Sequence, residues 1–442
     1  METVLQFILG VLIVAVGVAI SIGLHEVGHL VPAKLFGIKV TQYMIGFGPT
    51  VFSRRRGETE YGLKAIPLGG YVSMIGMFPP RGAGAKARAN STGFFQSMVQ
   101  DARDQSQESI GDDDDRAFYR KPVWQRIIVM LGGPFMNLVL AVVFFSIVVV
   151  GFGTLQTSTT VGSVSACVLP ATSDRQSCEA GDQESPGAAA GLKPGDRLVS
   201  LDGVAITSWA QSTDIIKKSS GEALPLVVER DGQEVSLTVT PLLTERYVTD
   251  DEGEVVKNAD GTSQTQEVGF VGIGAAQELV PQPVTSVLPM VGENIAGTAG
   301  IVLNLPQRLY DVAQAAFGSE ERDINGPISV VGVGRVAGEI ASLDSISIES
   351  KAASLLGLLG SLNIALFVIN LVPLTPLDGG HVVSALWEGI RRFFAKLFGR
   401  RDPGPVDAAK LMPLTFAVVI LFGGMTALLV YADIVKPVNI FG

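Results

Sequence analysis

The chain has 442 residues, 47% hydrophobic and only 17% charged, against roughly 25% charged in an ordinary soluble domain. That balance excludes a disordered chain and a wholly soluble one. A net charge of −10 argues against nucleic acid as a partner, because phosphate binding wants a basic excess, and two cysteines exclude a disulfide scaffold or a four-cysteine zinc module.

The first predicted element is a membrane helix within residues 1–37. Val4 to Leu24 carries no charge, and about 20 such residues cross a bilayer core. Its start, Met1-Glu2-Thr3, lacks the positive side chain of a secretory signal, and the apolar run is too long for one. It is therefore read as a permanent span. Residues 38–78 mix apolar and polar positions and are punctuated by Gly46-Phe47-Gly48-Pro49 and Pro67-Leu68-Gly69-Gly70-Tyr71. They predict short strands and turns in a membrane-associated β-region, with an edge strand inside residues 60–72. Residues 79–121 predict an acidic, disordered insert containing Asp112-Asp113-Asp114-Asp115. A second span comes next at 122–153, around the uncharged run Ile127 to Phe152.

Residues 157–243 predict a small β-rich domain. Gly191-Leu192-Lys193-Pro194-Gly195-Asp196 is a turn feeding a strand, and Asp231-Gly232 between two apolar runs signals a hairpin. Cys167 and Cys178 lie at its entrance, where an oxidising compartment favours a disulfide over two free thiols. Residues 284–350 predict paired amphipathic helices at the outer membrane surface. The third span is expected at 352–385 and the fourth at 411–436. Lys34, Lys39, Lys121, Arg126, Arg391, Arg392, Lys396, Arg400, Arg401 and Lys410 flank the spans on one side. The positive-inside rule makes that side cytoplasmic and both termini extracytoplasmic, in a multi-pass protein of the cell membrane. The expected fold is thus a polytopic α-helical membrane protein with four transmembrane helices, a membrane-associated β-region and one extracytoplasmic β-rich domain.

Chemistry concentrates in His25-Glu26-Val27-Gly28-His29, which continues the first apolar helix. Two histidines at i and i+4 lie about 40° apart on one helical face and can share a metal ion. Glu26 can reach a metal-bound water without ligating. Only three histidines occur in the chain, and ionisable groups inside a span are functional by default. Two imidazoles leave zinc short of a protein ligand. Asp378 supplies a carboxylate at the same depth, after Pro373 and Pro376 break the third span and before Gly379-Gly380. His381 remains open as an alternative ligand or a support. Asn363 and Asn370 are polar positions in the third span, suited either to binding an unwound substrate backbone or to helix–helix hydrogen bonds.

With these motifs the chain resembles the site-2 proteases, intramembrane zinc metalloproteases, in the bacterial branch that cleaves anti-sigma factors. The resemblance rests on His25-Glu26-Val27-Gly28-His29, on Asn370 with Leu377-Asp378-Gly379, and on Gly132-Gly133-Pro134-Phe135-Met136-Asn137. The β-rich domain with its Gly191–Asp196 turn resembles a PDZ domain. The resemblance implies that His25, His29 and Asp378 bind one Zn2+ per chain and that Glu26 is the base. It implies cleavage, inside the lipid bilayer, of single-span membrane proteins such as anti-sigma factors already trimmed outside by a first protease. The acidic insert is not part of this motif set, and the chain shows one PDZ-like domain where some relatives carry two.

Overall fold

The structure, a computed structural model, describes residues 2–77, 113–170, 173, 175, 177–248, 255–258, 262–318, 322–324, 326–344, 346–406 and 408–438. It divides into two compact units: residues 1–152 with 282–442, and residues 153–281.

The first unit is built on α1 (Glu2–Leu35), α2 (Val123–Ser146, continued by a π turn Ile147–Phe152), α8 (Ile348–Asn370) and α10 (Met412–Val435). Long, mainly aliphatic runs form these helices, and α2 continues through Gly132-Gly133-Pro134. α1 outlasts its apolar run, and the stretch from His25 to His29 packs against α2. Glycine permits that packing to be close. A Cβ on Gly28 would overlap the carbonyl oxygen of Gly132, and one on Gly132 would overlap that of Gly28.

Among the described residues five helices are long and apolar enough to cross a membrane, where four spans were expected. The additional one, Val284–Leu303, lies where outer amphipathic helices were expected. Its helical part, α5 (Val287–Leu303), is succeeded at once by α6 (Leu305–Phe317). Val287 and Val291 of α5 share a core with Ala141, Phe145 and Val149 of α2 and Ile364 of α8. Val312 and Ala316 of α6 pack on Leu429 and Ala432 of α10, and the Gly318 carbonyl accepts a hydrogen bond from Lys436 Nζ. α5 therefore starts beside the last turns of α2, and α6 ends beside the last turn of α10. The sequence hid this because Gly, Ala and Glu293 dilute the apolar run.

α7 (Val330–Ser342) packs on the N-terminal half of α1, with Val336, Ala337 and Ile340 in one core with Val14, Leu355 and Leu359. Its approach to α10 is fixed by Asp433, which accepts from the Ser329 N–H at 2.6 Å and pairs with the buried Arg322.

The third expected span, 352–385, is not one helix. α8 ends at Asn370, and α9 (Asp378–Leu397) begins anew after a turn. Pro373 and Pro376 cannot donate to a helical ladder. Gly379 and Gly380 let the turn sit directly on α9, since a Cβ on Gly380 would lie 2.6 Å from Thr375 N.

β1 (Val40–Arg56) and β2 (Thr59–Met74) are long, bent and antiparallel. Residues 60–63 pair on both sides, with 42–45 and with 52–55, whereas 70–74 pair only with 40–45. The edge nearest α1 is thus 70–74, and residues 60–63 are interior, which narrows the expected edge strand. Tyr43 anchors the sheet by donating its hydroxyl to the Gly23 carbonyl of α1 at 2.7 Å.

Residues 79–112 of the expected acidic insert, and residue 78 before it, lie outside the described residues. Its end, 113–121, is not irregular. Two short 3-10 turns (Asp114–Arg116 and Phe118–Arg120) put Ala117 against Ile75 and Phe118 into the core with Leu30, Ile38 and Val129. Asp113 pairs with Lys39, and Arg116 grips Glu58 through two bonds of 2.7 and 2.6 Å. Those ion pairs use charges that read as a solvated run in the sequence.

The second unit, Gly153–Pro281, is wider than the expected 157–243. Its sheet has the order β10 (Ile273–Val280), β3 (Thr154–Val164), β4 (Arg197–Leu201), β6 (Leu224–Arg230), β7 (Gln233–Val239), with β5 (Val204–Ala205) beside β4. A separate hairpin pairs β8 (Leu242–Tyr247) with β9 (Thr265–Phe270). α3 (Pro186–Ala189) and α4 (Trp209–Lys218) complete it. Leu198, Leu201, Leu224, Leu226 and Val228 form its core. Asp231 and Gly232 both take positive φ, at 51° and 77°, as the tight β6–β7 turn requires. Cys167 and Cys178 are joined by a disulfide.

Asp196 holds the Gly191–Asp196 turn. It accepts from the Lys193 N–H at 2.8 Å and from Arg230 at 2.7 Å through both oxygens. Arg230 holds the Asp196 carboxyl below its ordinary range. A lowered carboxylate pKa stabilises the fold above the unfolded value of about 4 and loses that stabilisation as pH falls through the folded value. Asp196→Asn should therefore destabilise this unit by about 2–3 kcal/mol at neutral pH. Denaturant unfolding at several pH values checks it: the gap between parent and variant should be full at pH 7 and close under acid.

Candidate metal centre

Three elements converge at the end of α1. His25 and His29 occupy one face of that helix, with Nε2 atoms 3.2 Å apart. Asp378, the first residue of α9, places Oδ2 3.4 Å from each of those nitrogens. Among the described residues these three form the group of His, Cys, Asp and Glu side chains able to hold one metal ion.

One stripe of α2 sets the imidazoles. The Val129 carbonyl, Gly133 and Asn137 are spaced i, i+4, i+8 and so lie on one face. His29 Nδ1 is 2.7 Å from the Val129 carbonyl. A carbonyl only accepts, so Nδ1 carries the proton and Nε2 offers a lone pair. The Asn137 amide lies 3.0 Å from His25 Nδ1, and its oxygen otherwise has no partner. With the amide turned so that Oδ1 accepts from Nδ1–H, the second Nε2 is left with its lone pair. Gly133 sits under both rings: a Cβ there would lie 2.7 Å from His25 Nε2 and closer still to His29 Nε2.

Asp378 Oδ2 is buried without a hydrogen-bond donor. In these tautomers two imidazole lone pairs and a carboxylate oxygen face one another. A cation answers that arrangement, and two nitrogens with one carboxylate oxygen form a donor set that suits zinc with a fourth position open.

Glu26 faces the same space from α1. It lines a cavity of about 310 Å3 with His25, His29, Asp378, Asn370 and the edge residues Gly70 and Tyr71. The close approach of β2 needs Gly70, where a Cβ would come within 2.9 Å of Glu26 Cγ. A second cavity, about 520 Å3 and mostly apolar, also reaches His25 and Glu26 and extends along Val18, Ile22, Leu362 and Leu366 to Val330 of α7. His381 lines the smaller cavity without joining the three-residue cluster. Asn363 is buried and donates to Ser21 Oγ at 3.0 Å and to the Leu359 carbonyl at 2.8 Å, leaving Oδ1 without a partner. Asn370 borders both cavities. Gly133, Asn137 and Gly70 belonged to motifs visible in the sequence, but their roles depend on contacts between distant segments.

Residues 13–400 match peptidase family M50. The chain belongs to that family. It is a zinc metalloprotease of the site-2 type. Similar proteins include the zinc metalloprotease Rip1 of Mycobacterium tuberculosis, 32% identical over 99% of this chain and 100% of that one. Rip1 of Mycolicibacterium smegmatis is 31% identical with the same coverage, and the metalloprotease MmpA of Caulobacter vibrioides is 29% identical over 85% of each chain. The family and the apolar helices together make this site-2 protease a membrane protein and an intramembrane protease.

Proposed function

We propose that this protease cuts single-span membrane proteins, anti-sigma factors in particular, with His25, His29 and Asp378 holding one zinc ion per chain and Glu26 carrying the proton. The observation that supports the assignment most directly is the meeting of two imidazole nitrogens and a carboxylate oxygen beside Glu26 at the end of an apolar helix. Zinc held there would supply a Lewis acid that polarises a peptide carbonyl and lowers the pKa of water toward about 7. Glu26 takes the proton of the attacking water and delivers it to the leaving nitrogen.

A substrate helix must unwind before its peptide bonds are accessible. The free edge of β2 at 70–74 offers backbone groups to an extended segment beside Glu26, in the manner of strand addition. The unpaired Oδ1 of Asn363 and the amide of Asn370 meet backbone N–H groups that unwinding releases. The apolar cavity along Val18 and Leu366 takes the substrate's hydrophobic side chains.

In this reading α1, α2, α8 and α10 cross the membrane, and α5 with α6 leaves and returns at one face. The basic residues flanking the spans support a topology with both termini outside. The unit at 153–281 is PDZ-like and excludes substrates that still carry a bulky outer domain.

Asp378→Asn removes a charged ligand, and the uncharged amide oxygen replaces it poorly. Zinc affinity should fall by more than the about 10–100-fold typical of losing a ligand-supporting group. Metal content after dialysis against a chelator measures it; full occupancy with full activity would transfer the ligand role to another group such as His381.

The substrate reading is tested with reconstituted protein and a single-span reporter, intact or trimmed on its outer side. Cleavage should occur within the reporter's span, and only after trimming. Replacing residues 153–281 by a short linker should admit the intact reporter while zinc stays bound. If that variant holds zinc and still cuts only trimmed reporter, the exclusion lies outside this unit.

A further inference from the structure

α9 shows two unlike faces. Its inner face carries Glu388, fully buried, which accepts from Arg126 of α2 at 2.5 Å, from Arg392 at 3.1 Å and from the Val406 N–H at 3.0 Å. This polar clamp ties the helix to the start of α2. The opposite face is an apolar arc. Leu386, Trp387, Ile390, Phe393, Phe394 and Leu397 recur at helical spacing and are 47–64% exposed. At 100° per residue they fall within an arc of about 120°. A continuous exposed apolar stripe of this kind marks an interaction surface.

The helix cannot be a span, because it carries Asp378, Glu388, Arg391, Arg392 and Lys396. Strong amphipathicity with aromatic residues on the apolar face and basic residues beside it describes a helix lying in the membrane interface. The charge near its C-terminal end is mainly basic. Lys396, Arg400, Arg401 and Lys410 are all exposed, against Asp402, which pairs with Arg392, and Asp407. Such a cluster next to spans attracts anionic headgroups, each cation contributing about fivefold near the surface.

We propose that α9 is an interfacial docking helix, with its aromatic arc sunk among acyl chains and its basic end holding anionic phospholipid headgroups. The occupant is the bilayer itself. Both the apolar arc and the basic excess point to it, and α9 starts soon after the end of the apolar helix α8. The consequence for the site rests on the reading of Asp378 as a zinc ligand. Asp378 is the first residue of α9, so seating the helix on lipid orients that carboxylate toward His25 and His29. Membrane composition then bears on how firmly the third ligand is held.

The test uses the full chain reconstituted in nanodiscs containing brominated phosphatidylcholine or brominated phosphatidylglycerol at one fixed mole fraction. The fluorescence of Trp387 is isolated as the difference between the full chain and its Trp387→Phe variant. Both lipids should quench it, and phosphatidylglycerol should quench it more strongly. Replacing Lys396, Arg400 and Arg401 together by Gln should lower the preference for phosphatidylglycerol about tenfold or more. These three side chains are exposed and lie outside the metal cluster, so zinc content should stay unchanged. The proposal fails if neither lipid quenches Trp387, which would leave the arc to a protein partner. It fails equally if both lipids quench alike and the triple variant changes nothing. Zinc is measured in the same samples, so loss of the metal and loss of the lipid preference are read independently.

Discussion

Glu26→Gln should leave zinc in place and stop peptide cleavage. The substitution keeps the shape of the side chain and changes one property, the capacity to accept a proton. Glu26 stands on the same helix as His25 and His29 but outside the three-atom cluster, so metal retention does not depend on its charge. It lines both cavities, the polar one holding the donor atoms and the apolar one running along α1. A group at that junction can meet water on one side and a substrate peptide on the other. General-base catalysis by a positioned carboxylate is typically worth about 10²–10⁴-fold, and here the same group also serves as the acid for the leaving amine. Turnover should therefore drop by at least that factor. Single-turnover cleavage and metal analysis on one preparation separate the outcomes. Near-parent turnover with zinc bound removes Glu26 from the chemistry. Loss of zinc along with activity makes it a support of the site instead.

The chemistry of this site was legible in the sequence because it violates the pattern around it. Two histidines and a glutamate at the end of an uncharged run have no structural reason to be there, and an aspartate after two prolines has little more. The elements around them were legible only in part. The apolar runs of α1, α2 and α10 stand out by composition, but α5 does not, since glycine and alanine weaken its signal. The break between α8 and α9 was visible in Pro373 and Pro376. The separate course of α9 was not, because a helix that is half charged and half aromatic resembles the tail of a span. Asp113 and Arg116 looked like part of a solvated insert, and only their pairing with Lys39 and Glu58 shows otherwise. In each case the missing information is a contact between segments far apart in the chain, which periodicity along one segment does not contain.

Gly133 is the residue for which that limit matters most. Within a helix, Gly→Ala ordinarily stabilises by about 1 kcal/mol. At this position the added methyl would lie 2.7 Å from His25 Nε2 and would overlap His29 Nε2, the two nitrogens that face Asp378. Neither side can withdraw. α2 is held close to α1 by the mutual contact of Gly28 and Gly132, and the rings are tethered at their far nitrogens by the Val129 carbonyl and Asn137. The methyl must turn the imidazoles away from each other or push the helices apart, and both break the convergence on Asp378. Gly133→Ala should therefore lose zinc by more than about 100-fold in affinity, beyond the range seen when only a supporting group is lost, and should lose activity with it. Gly357→Ala is the control, because a Cβ at Gly357 on α8 meets nothing within 4 Å. That variant should keep its zinc and fold at least as stably as the parent. Comparing metal content and helical content of the two variants isolates the effect. If Gly133→Ala binds zinc and cleaves like the control, the imidazoles have room that this packing denies them, and the stripe from Val129 to Asn137 does not set the site.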